Sequence, residues 1–216
     1  MPLPRELTDL PYAPYLEPFT GRIIPGAVHD GAHVDAATIE DVNAGTSRFL
    51  ETAFSAVTFT RGSMRGARFN DVWLRAVRWA GTSLVETDWV DAELISTAIV
   101  GVEMHSSILR QVTFHGCKLD SVNLRGATIT DVRFTDCQLR DVDLAGASLT
   151  NVSFPGSRLG PIRFAKAQMT NVDLTQATAL EIDDGIDALR GATITQTQLY
   201  ELAPWFAHSA GVTVQT

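Results

Sequence analysis

The sequence predicts an all-β solenoid that is closed at its C-terminal end by an α-helix. Three observations lead to this fold class: a large apolar residue returns at every fifth position, a smaller residue lies two positions before it, and the last segment changes to helical spacing. The 216 residues can form one domain with a substantial core. Hydrophobic residues make up 45% of the chain and charged residues 19%, which excludes a disordered chain.

The five-residue frame runs without interruption from Ile39 to Leu174. Every fifth residue in this stretch is large and apolar except Ala44. In a flat strand, residues i and i+5 point to opposite faces, and in an α-helix they lie about 140° apart. The chain must therefore turn once per five residues, and successive coils stack on one another as parallel ladders.

Residues 122–154 have the sequence VNLRGATITDVRFTDCQLRDVDLAGASLTNVSF. This segment resembles the pentapeptide-repeat family, whose motif is Ala-Asp/Asn-Leu-x-x, and the resemblance covers residues 35–180. It implies a right-handed quadrilateral β-helix with four repeats per coil, in which residues twenty apart stack. About seven coils would then form a rod of roughly 34 Å, at about 4.8 Å per coil.

Stacking at a spacing of twenty makes columns of side chains. One column is Phe114, Phe134 and Phe154, and another is Phe49, Phe69 and Trp89. Cys117 and Cys137 also become neighbours, and we interpret them as small buried thiols instead of a redox pair. Surface charges would pair across coils in the same way: Arg68 with Asp88, Asp120 with Arg140, and Asp143 with Arg163.

The frame divides the chain into three segments. Residues 1–34 contain six of the nine prolines and are predicted to be an extended lead-in and N-terminal cap. Residues 35–180 are the predicted β-helix. Residues 181–216 are the predicted helical cap and final strand, because a stacked β-helix must cover the apolar interior and the unpaired edge of its last coil.

The cap helix is predicted from a change to i, i+3, i+4, i+7 spacing at Leu199, Leu202, Ala203 and Phe206. Pro204 is expected to split this helix and Gly211 to stop it. The family resemblance implies a homodimer through this segment, with Tyr200 and Trp205 as the candidate contact residues. Packing of both residues against the last coil is the alternative.

Residues for catalysis or for a cofactor are not predicted. The sequence has no phosphate-binding loop, no dinucleotide-binding glycine motif, no CxxC pair and no GxSxG elbow. His29 and His33 have helical metal spacing, but the surrounding PGAVHDGAHVD is not helical. A rod filled by its own side chains has flat walls, whereas catalysis needs a concave pocket. We therefore predict a non-enzyme without metal or cofactor.

Composition also restricts the compartment and the partners. No apolar run approaches the roughly 18 to 20 residues of a spanning helix, and the first residues lack the order of a secretory signal. The sequence thus predicts a cytoplasmic protein that does not bind membranes. A pI near 5.0 argues against direct binding of nucleic acid.

DNA mimicry is the most specific activity that the resemblance implies. Quinolone-resistance and topoisomerase-immunity members present an acidic rod of duplex-like width to DNA gyrase, which makes gyrase the candidate partner. Mimicry needs a negative wall, because the gyrase surface is built to hold phosphates. Residues 49–175 are neutral in sum, but the four-sided arrangement places a net charge of −3 on one wall and +3 on the opposite one. The candidate partner-binding residues on the negative wall are Glu51, Asp71, Asp88, Asp91 and Asp131. Diffuse surface charge without a function is the alternative.

A protein-interaction scaffold without DNA mimicry is the second functional hypothesis. Trp73 precedes the inward Leu74 and is therefore expected to point outward. Arg75 and Arg78 flank it, and an exposed tryptophan beside arginine is typical of interface hot spots. The alternative is a tryptophan that lies flat over the neighbouring coil.

Overall fold

The computed structural model describes residues 3–214. The outermost residues of the predicted first and third segments, 1–2 and 215–216, lie outside the described range. The chain forms a parallel β-solenoid with one α-helix, Gln196–Ser209, at its C-terminal end, and both parts of the predicted fold class are confirmed. Three short 3-10 helices complete the regular structure of residues 3–214: Leu7–Asp9, Ala13–Tyr15 and Ile186–Leu189.

Four faces, named A to D, follow one another around each coil. The strands of face A are Val28–Asp30, Arg48–Leu50, Arg68–Asn70, Asp88–Val90, Ile108–Arg110 and Thr128–Thr130. The strands of face B are Glu17–Pro18, Ala32–Asp35, Ala53–Ser55, Trp73–Arg75, Glu93–Ile95, Thr113–His115, Arg133–Thr135 and Ala192–Thr193. Ser148–Ser153 and Gln168–Asp173 cover both faces and join them in one sheet of 16 strands.

Face C is a second sheet of 8 strands, which gives about eight turns. Its strands are Thr38–Asn43, Thr58–Ser63, Arg78–Ala80, Ala98–Val100, Lys118–Asn123, Gln138–Asp143, Arg158–Arg163 and Ala179–Asp184. The last residues of the longer strands form face D, together with isolated parallel bridges at Ser83 and Glu103. Partners on one face are twenty residues apart throughout the middle of the coil, as in Arg78 with Ala98, so the predicted four repeats per coil are confirmed. The spacing departs from twenty only at the two ends, as in Glu17 with Ala32 and Arg158 with Ala179.

The five-residue frame fills the interior of the coil. All of its positions from Ile39 to Leu174 are buried except Ile39 itself. The predicted aromatic columns are also present. The rings of Phe114 and Phe134 stack with centroids 4.6 Å apart, and those of Phe134 and Phe154 with centroids 5.1 Å apart. The core therefore consists of ladders of like side chains that continue from one coil to the next.

Each corner of the coil is made by one residue in the left-handed backbone region, two positions after the inward residue. Asp71 and Asn151 occupy such corners, with φ values of 52° and 54°. L-residues avoid this region, and aspartate, asparagine and glycine tolerate it best. Asp, Asn and Gly hold about half of the corners, and the preference is partial, because Glu51 and Lys166 adopt the same conformation.

Predicted ion pairs between coils are found in two of three cases. Arg140 lies 3.0 Å from Asp120, and Arg163 lies 3.6 Å from Asp143. The prediction for Arg68 and Asp88 is wrong: the two residues are register partners, but the Asp88 carboxylate lies nearest to Arg110, at 3.7 Å.

The C-terminal helix covers the last coil through Leu202 and Phe206 of the predicted stripe, but Leu199 and Ala203 of that stripe are exposed. Gln198 and Leu202 are buried, whereas Leu199 is 46% exposed. The Gln198 side chain donates a 2.8 Å hydrogen bond to the carbonyl of Leu174, the last residue of the frame. Hydrophobic spacing does not predict this contact, because Gln198 is a polar residue that is buried in order to bond to a backbone carbonyl at the end of the coil.

The prediction that Pro204 splits the helix is wrong. The helix runs from Gln196 to Ser209 with Pro204 inside it. Proline removes the hydrogen bond to the carbonyl of Tyr200, and Tyr200 lies on the exposed side, where water can replace the missing donor. The predicted end is confirmed, because Gly211 follows the helix with a φ of 75°.

The N-terminal segment is more ordered than the predicted extended lead-in. Residues 5–16, which we call the strap, contain two 3-10 helices and lie against face B. Leu10 and Tyr12 of the strap are buried there with Ala53, Trp73 and Ile95 in a second apolar cluster outside the coil. Apolar side chains on the outer surface of face B explain why these residues fold back.

Candidate functional site

Four of the predicted partner-binding acids lie together at the corner between faces A and B. Glu51, Asp71, Asp91 and Asp131 are all exposed, and each adopts the left-handed conformation of a corner residue. We call these four residues the acidic corner. Glu51, Asp71 and Asp91 follow one another on successive coils, about 4.8 Å apart.

Asp88 is separated from the acidic corner. It lies in a strand of face A, its side chain is 31% exposed, and Arg110 lies beside it. A partner that binds the acidic corner would contact Asp88 only if it also extended over face A.

Amide side chains continue the column of the acidic corner. Gln111 stands between Asp91 and Asp131, and Asn151 and Asn171 follow on the next coils. The Asn151 amide donates to Asp131 Oδ1 at 2.7 Å, and the Asn171 amide donates to Asn151 Oδ1 at 2.9 Å. The corner thus has a ladder of side-chain hydrogen bonds, and its negative charge is concentrated at the N-terminal coils.

Burial and neighbouring charges shift the pKa of Asp71 in the acidic corner. Partial burial raises the pKa of the Asp71 carboxyl, the neighbouring Asp91 carboxylate raises it further, and Arg5 of the strap acts in the opposite direction. The net charge of −3 predicted for this wall does not include Arg5. The strap therefore partly neutralises the acidic corner.

The opposite, basic wall is also less charged than the sequence count suggests. Two of the arginines on this wall pair with acids that lie near the ends of the chain. Arg61 binds Asp41 at 2.8 Å, and Arg158 lies 3.0 Å from Glu181. These acidic partners lie outside residues 49–175, so the net charge of +3 predicted for this wall does not include them.

The prediction of an exposed Trp73 is wrong. Trp73 does point away from the coil interior, but only 2% of its surface is exposed. The strap covers it, and its indole Nε1 donates a 3.1 Å hydrogen bond to the carbonyl oxygen of Arg5. The flanking arginines do not form one patch with it: Arg75 binds Glu6 of the strap, whereas Arg78 lies on face C.

The two predicted dimer-contact residues are on the C-terminal helix. Tyr200 is 67% exposed and Trp205 is 54% exposed. Five residues of an α-helix correspond to about 140° of rotation, so the two side chains point in different directions. A single flat partner surface would therefore contact one of them more than the other.

Residues 3–214 contain two free cysteines and no cluster of metal ligands. No group of three or more His, Cys, Asp or Glu side chains there is placed to hold a metal ion. Cys117 and Cys137 are buried free thiols, and burial raises the pKa of the Cys117 thiol. None of the described helices has the length and hydropathy that a membrane crossing requires.

Comparison with known families identifies the repeat. Residues 87–164 match the family model described as a pentapeptide repeat region. These residues, about a third of the chain, are therefore a pentapeptide repeat region. The same coil geometry continues on both sides of the matched residues, because the strand partners keep the twenty-residue spacing there.

Solved structures with some similarity to this chain include three from different sources. HetL, a pentapeptide repeat protein involved in heterocyst differentiation regulation in the cyanobacterium Nostoc sp., is 17% identical over 79% of this chain and 84% of its own, with a TM-score of 0.49. Trypsin-treated QnrB1, a plasmid-mediated fluoroquinolone resistance protein, is 14% identical over 88% and 100%, with a TM-score of 0.38. A pentapeptide repeat protein from the Arabidopsis thaliana thylakoid lumen is 15% identical over 58% and 70%, with a TM-score of 0.26. No curated protein sequence matches the chain.

The interaction that sequence reasoning missed is the one between the strap and face B. Glu93 lies on face B with only 4% of its surface exposed, and Arg5 binds it although the two residues are 88 positions apart. Two sequence features point to this contact: the large apolar Trp73 at an outward position, and the apolar residues of LTDLPYAPYL, residues 7–16. An outward tryptophan needs a cover, and the strap provides it.

Proposed function

We propose that this pentapeptide-repeat chain is a non-catalytic binding protein that engages DNA gyrase through the acidic corner, as an imitation of duplex DNA. The observation that carries the proposal is the exposed column of Glu51, Asp71 and Asp91 on successive coils, with Asp131 two coils further on. A surface that holds phosphates favours such a column of carboxylates.

The linear charge density limits how closely the corner can imitate DNA. Duplex DNA carries one charge per about 1.7 Å of its axis, whereas the corner supplies one per about 4.8 Å over three coils. The complex would therefore depend on salt less steeply than a protein–DNA complex of the same length, and shape complementarity must supply part of its affinity.

The conformational preference of corner residues is the competing explanation for the same acids. Asparagine tolerates the left-handed backbone as well as aspartate does, so Asp→Asn substitutions remove the charge and keep the conformation. Asn151 already occupies this corner. The two explanations can thus be separated with the same set of variants.

The test is a gyrase supercoiling assay with the purified full chain, with and without a fluoroquinolone. We expect the chain to inhibit supercoiling at micromolar concentration. A variant with Asp71→Asn, Asp91→Asn and Asp131→Asn should inhibit at least about tenfold more weakly at low salt, with a shallower salt dependence, because three charges are lost from the contact.

The matched control removes three charges elsewhere. Glu86→Gln, Glu103→Gln and Asp183→Asn change the net charge equally but lie away from the acidic corner. This control should inhibit like the unmodified chain. Equal weakening by both triple variants would show that only net charge matters, and a folded chain that leaves supercoiling unchanged would rule out gyrase as the partner.

Assembly through the C-terminal helix is part of the same proposal. A homodimer would place two acidic corners on one elongated particle, and the exposed Tyr200 and Trp205 are available for the contact. Binding to gyrase places the protein in the cytoplasm.

A further inference from the structure

The strap covers a site on face B that holds one arginine residue by both its main chain and its side chain. Arg5 donates from its backbone N–H to Glu93 Oε1 at 3.0 Å and from its guanidinium Nε to Glu93 Oε2 at 2.6 Å. Its carbonyl oxygen accepts the 3.1 Å hydrogen bond from Trp73 Nε1. These contacts recognise an arginine in an extended segment, not a generic positive charge.

Glu93 lies under the strap, between Arg5 and face B. Its side chain is only 5% exposed, Arg5 bonds to it, and His115 Nε2 lies 3.7 Å from its Oε1. A carboxylate that stays buried after it loses its partner is strongly destabilising. Release of the strap removes the guanidinium from Glu93, and a second guanidinium at the same place would restore this contact, which makes the site one of exchange.

The surroundings of Arg5 favour a basic occupant and leave space for one. A groove of about 400 Å³ lies beside Arg5 and Tyr12, and its lining includes Asp71, Asp91 and Glu93. The Arg5 side chain itself is 47% exposed, so it can be reached from solvent. The apolar floor under the strap, which includes Trp73, would hold an apolar residue that follows the arginine.

We propose that face B around Glu93 and Trp73 is a docking site for an extended, arginine-containing segment of a partner protein, and that the strap occupies this site in cis. The partner segment carries an arginine followed by apolar residues, as Arg5 is followed by Leu10 and Tyr12. This site adjoins the proposed gyrase contact, because Asp71 and Asp91 of the acidic corner also line the groove, but it is centred on Glu93 and Trp73 of face B and selects a cation.

The test uses the full chain and a labelled peptide with the sequence of residues 3–16, LPRELTDLPYAPYL, followed by fluorescence anisotropy. Arg5→Ala with Tyr12→Ala weakens the strap, and this double variant should bind the peptide at least tenfold more tightly than the unmodified chain. The cis segment competes at a high effective concentration, which explains the expected difference. The peptide with Arg5→Lys should bind at least tenfold more weakly, because an ammonium cannot reproduce the guanidinium geometry.

Two further variants locate the site. Glu93→Gln, added to the double variant, should abolish the gain in affinity, whereas Glu103→Gln, an exposed residue of face D, should leave it unchanged. Equal affinity of the double variant and the unmodified chain, or equal binding of the arginine and lysine peptides, would overturn the proposal.

A measurement on the unmodified chain covers the case in which the double variant does not fold. The arginine peptide with a nitroxide label should broaden the indole N–H resonance of Trp73 when it replaces the strap, at about millimolar concentration, which matches the effective concentration of a tethered competitor. The lysine peptide with the same label should leave the resonance sharp. A Trp73 signal that responds to neither peptide would also overturn the proposal.

Discussion

Replacement of Phe134 by alanine is expected to destabilise the chain by about 3 to 5 kcal/mol. Phe134 is 3% exposed and is stacked between Phe114 and Phe154, with centroids 4.6 Å and 5.1 Å away. The substitution leaves a cavity in the middle of an aromatic column, and neighbouring coils cannot close it, because the backbone hydrogen bonds fix their spacing. Urea unfolding followed by circular dichroism measures the change.

The control for this prediction is Gln138→Ala. Gln138 lies on the next strand and its side chain is exposed, so the expected cost is under about 0.5 kcal/mol. Similar losses at residues 134 and 138 would mean that the assignment of inward and outward positions is wrong.

Replacement of Leu202 by aspartate is expected to detach the C-terminal helix from the last coil. Leu202 is 3% exposed, and a carboxylate in its place would be buried without a partner. Detachment would expose the apolar end of the coil and free the carbonyl of Leu174, which Gln198 now satisfies. We expect this variant to bind a hydrophobic dye and to aggregate when the protein is concentrated. Its free energy of unfolding should fall by at least about 3 kcal/mol.

Leu199→Asp is the matched control on the same helix. Leu199 is 46% exposed and lies next to the proposed dimer contact Tyr200. This variant should keep its stability and should not bind the dye, whereas sedimentation should show a weaker dimer. If Leu202→Asp stays soluble and equally stable, the helix does not act as a cap.

The periodic part of the fold could be predicted from sequence because the coil geometry leaves few choices. An inward position every fifth residue determines the core, the twenty-residue register and the columns of Phe114, Phe134 and Phe154. The acidic corner was predictable for the same reason, since the register alone brings Glu51, Asp71 and Asp91 together.

The strap could not be predicted in this way, because residues 5–16 have no period. Its position depends on contacts between residues far apart in sequence, above all Arg5 with Glu93. An outward residue such as Trp73 has the same pattern whether solvent or another segment covers it. The burial of Gln198 in the helix was missed for a related reason: its side chain satisfies a backbone carbonyl, a requirement that hydrophobic spacing does not show.

Competition with duplex DNA for gyrase tests the proposed DNA mimicry most directly. Labelled duplex DNA bound to gyrase is titrated with the full chain at about 50 mM and about 200 mM salt, and the displaced fraction is measured by anisotropy. We predict that the chain displaces the DNA at low salt, that displacement weakens as salt rises, and that the triple Asp→Asn variant of the acidic corner displaces it poorly. Gyrase that retains its DNA at all concentrations of the folded chain, or displacement that the triple variant performs equally well, would contradict the account.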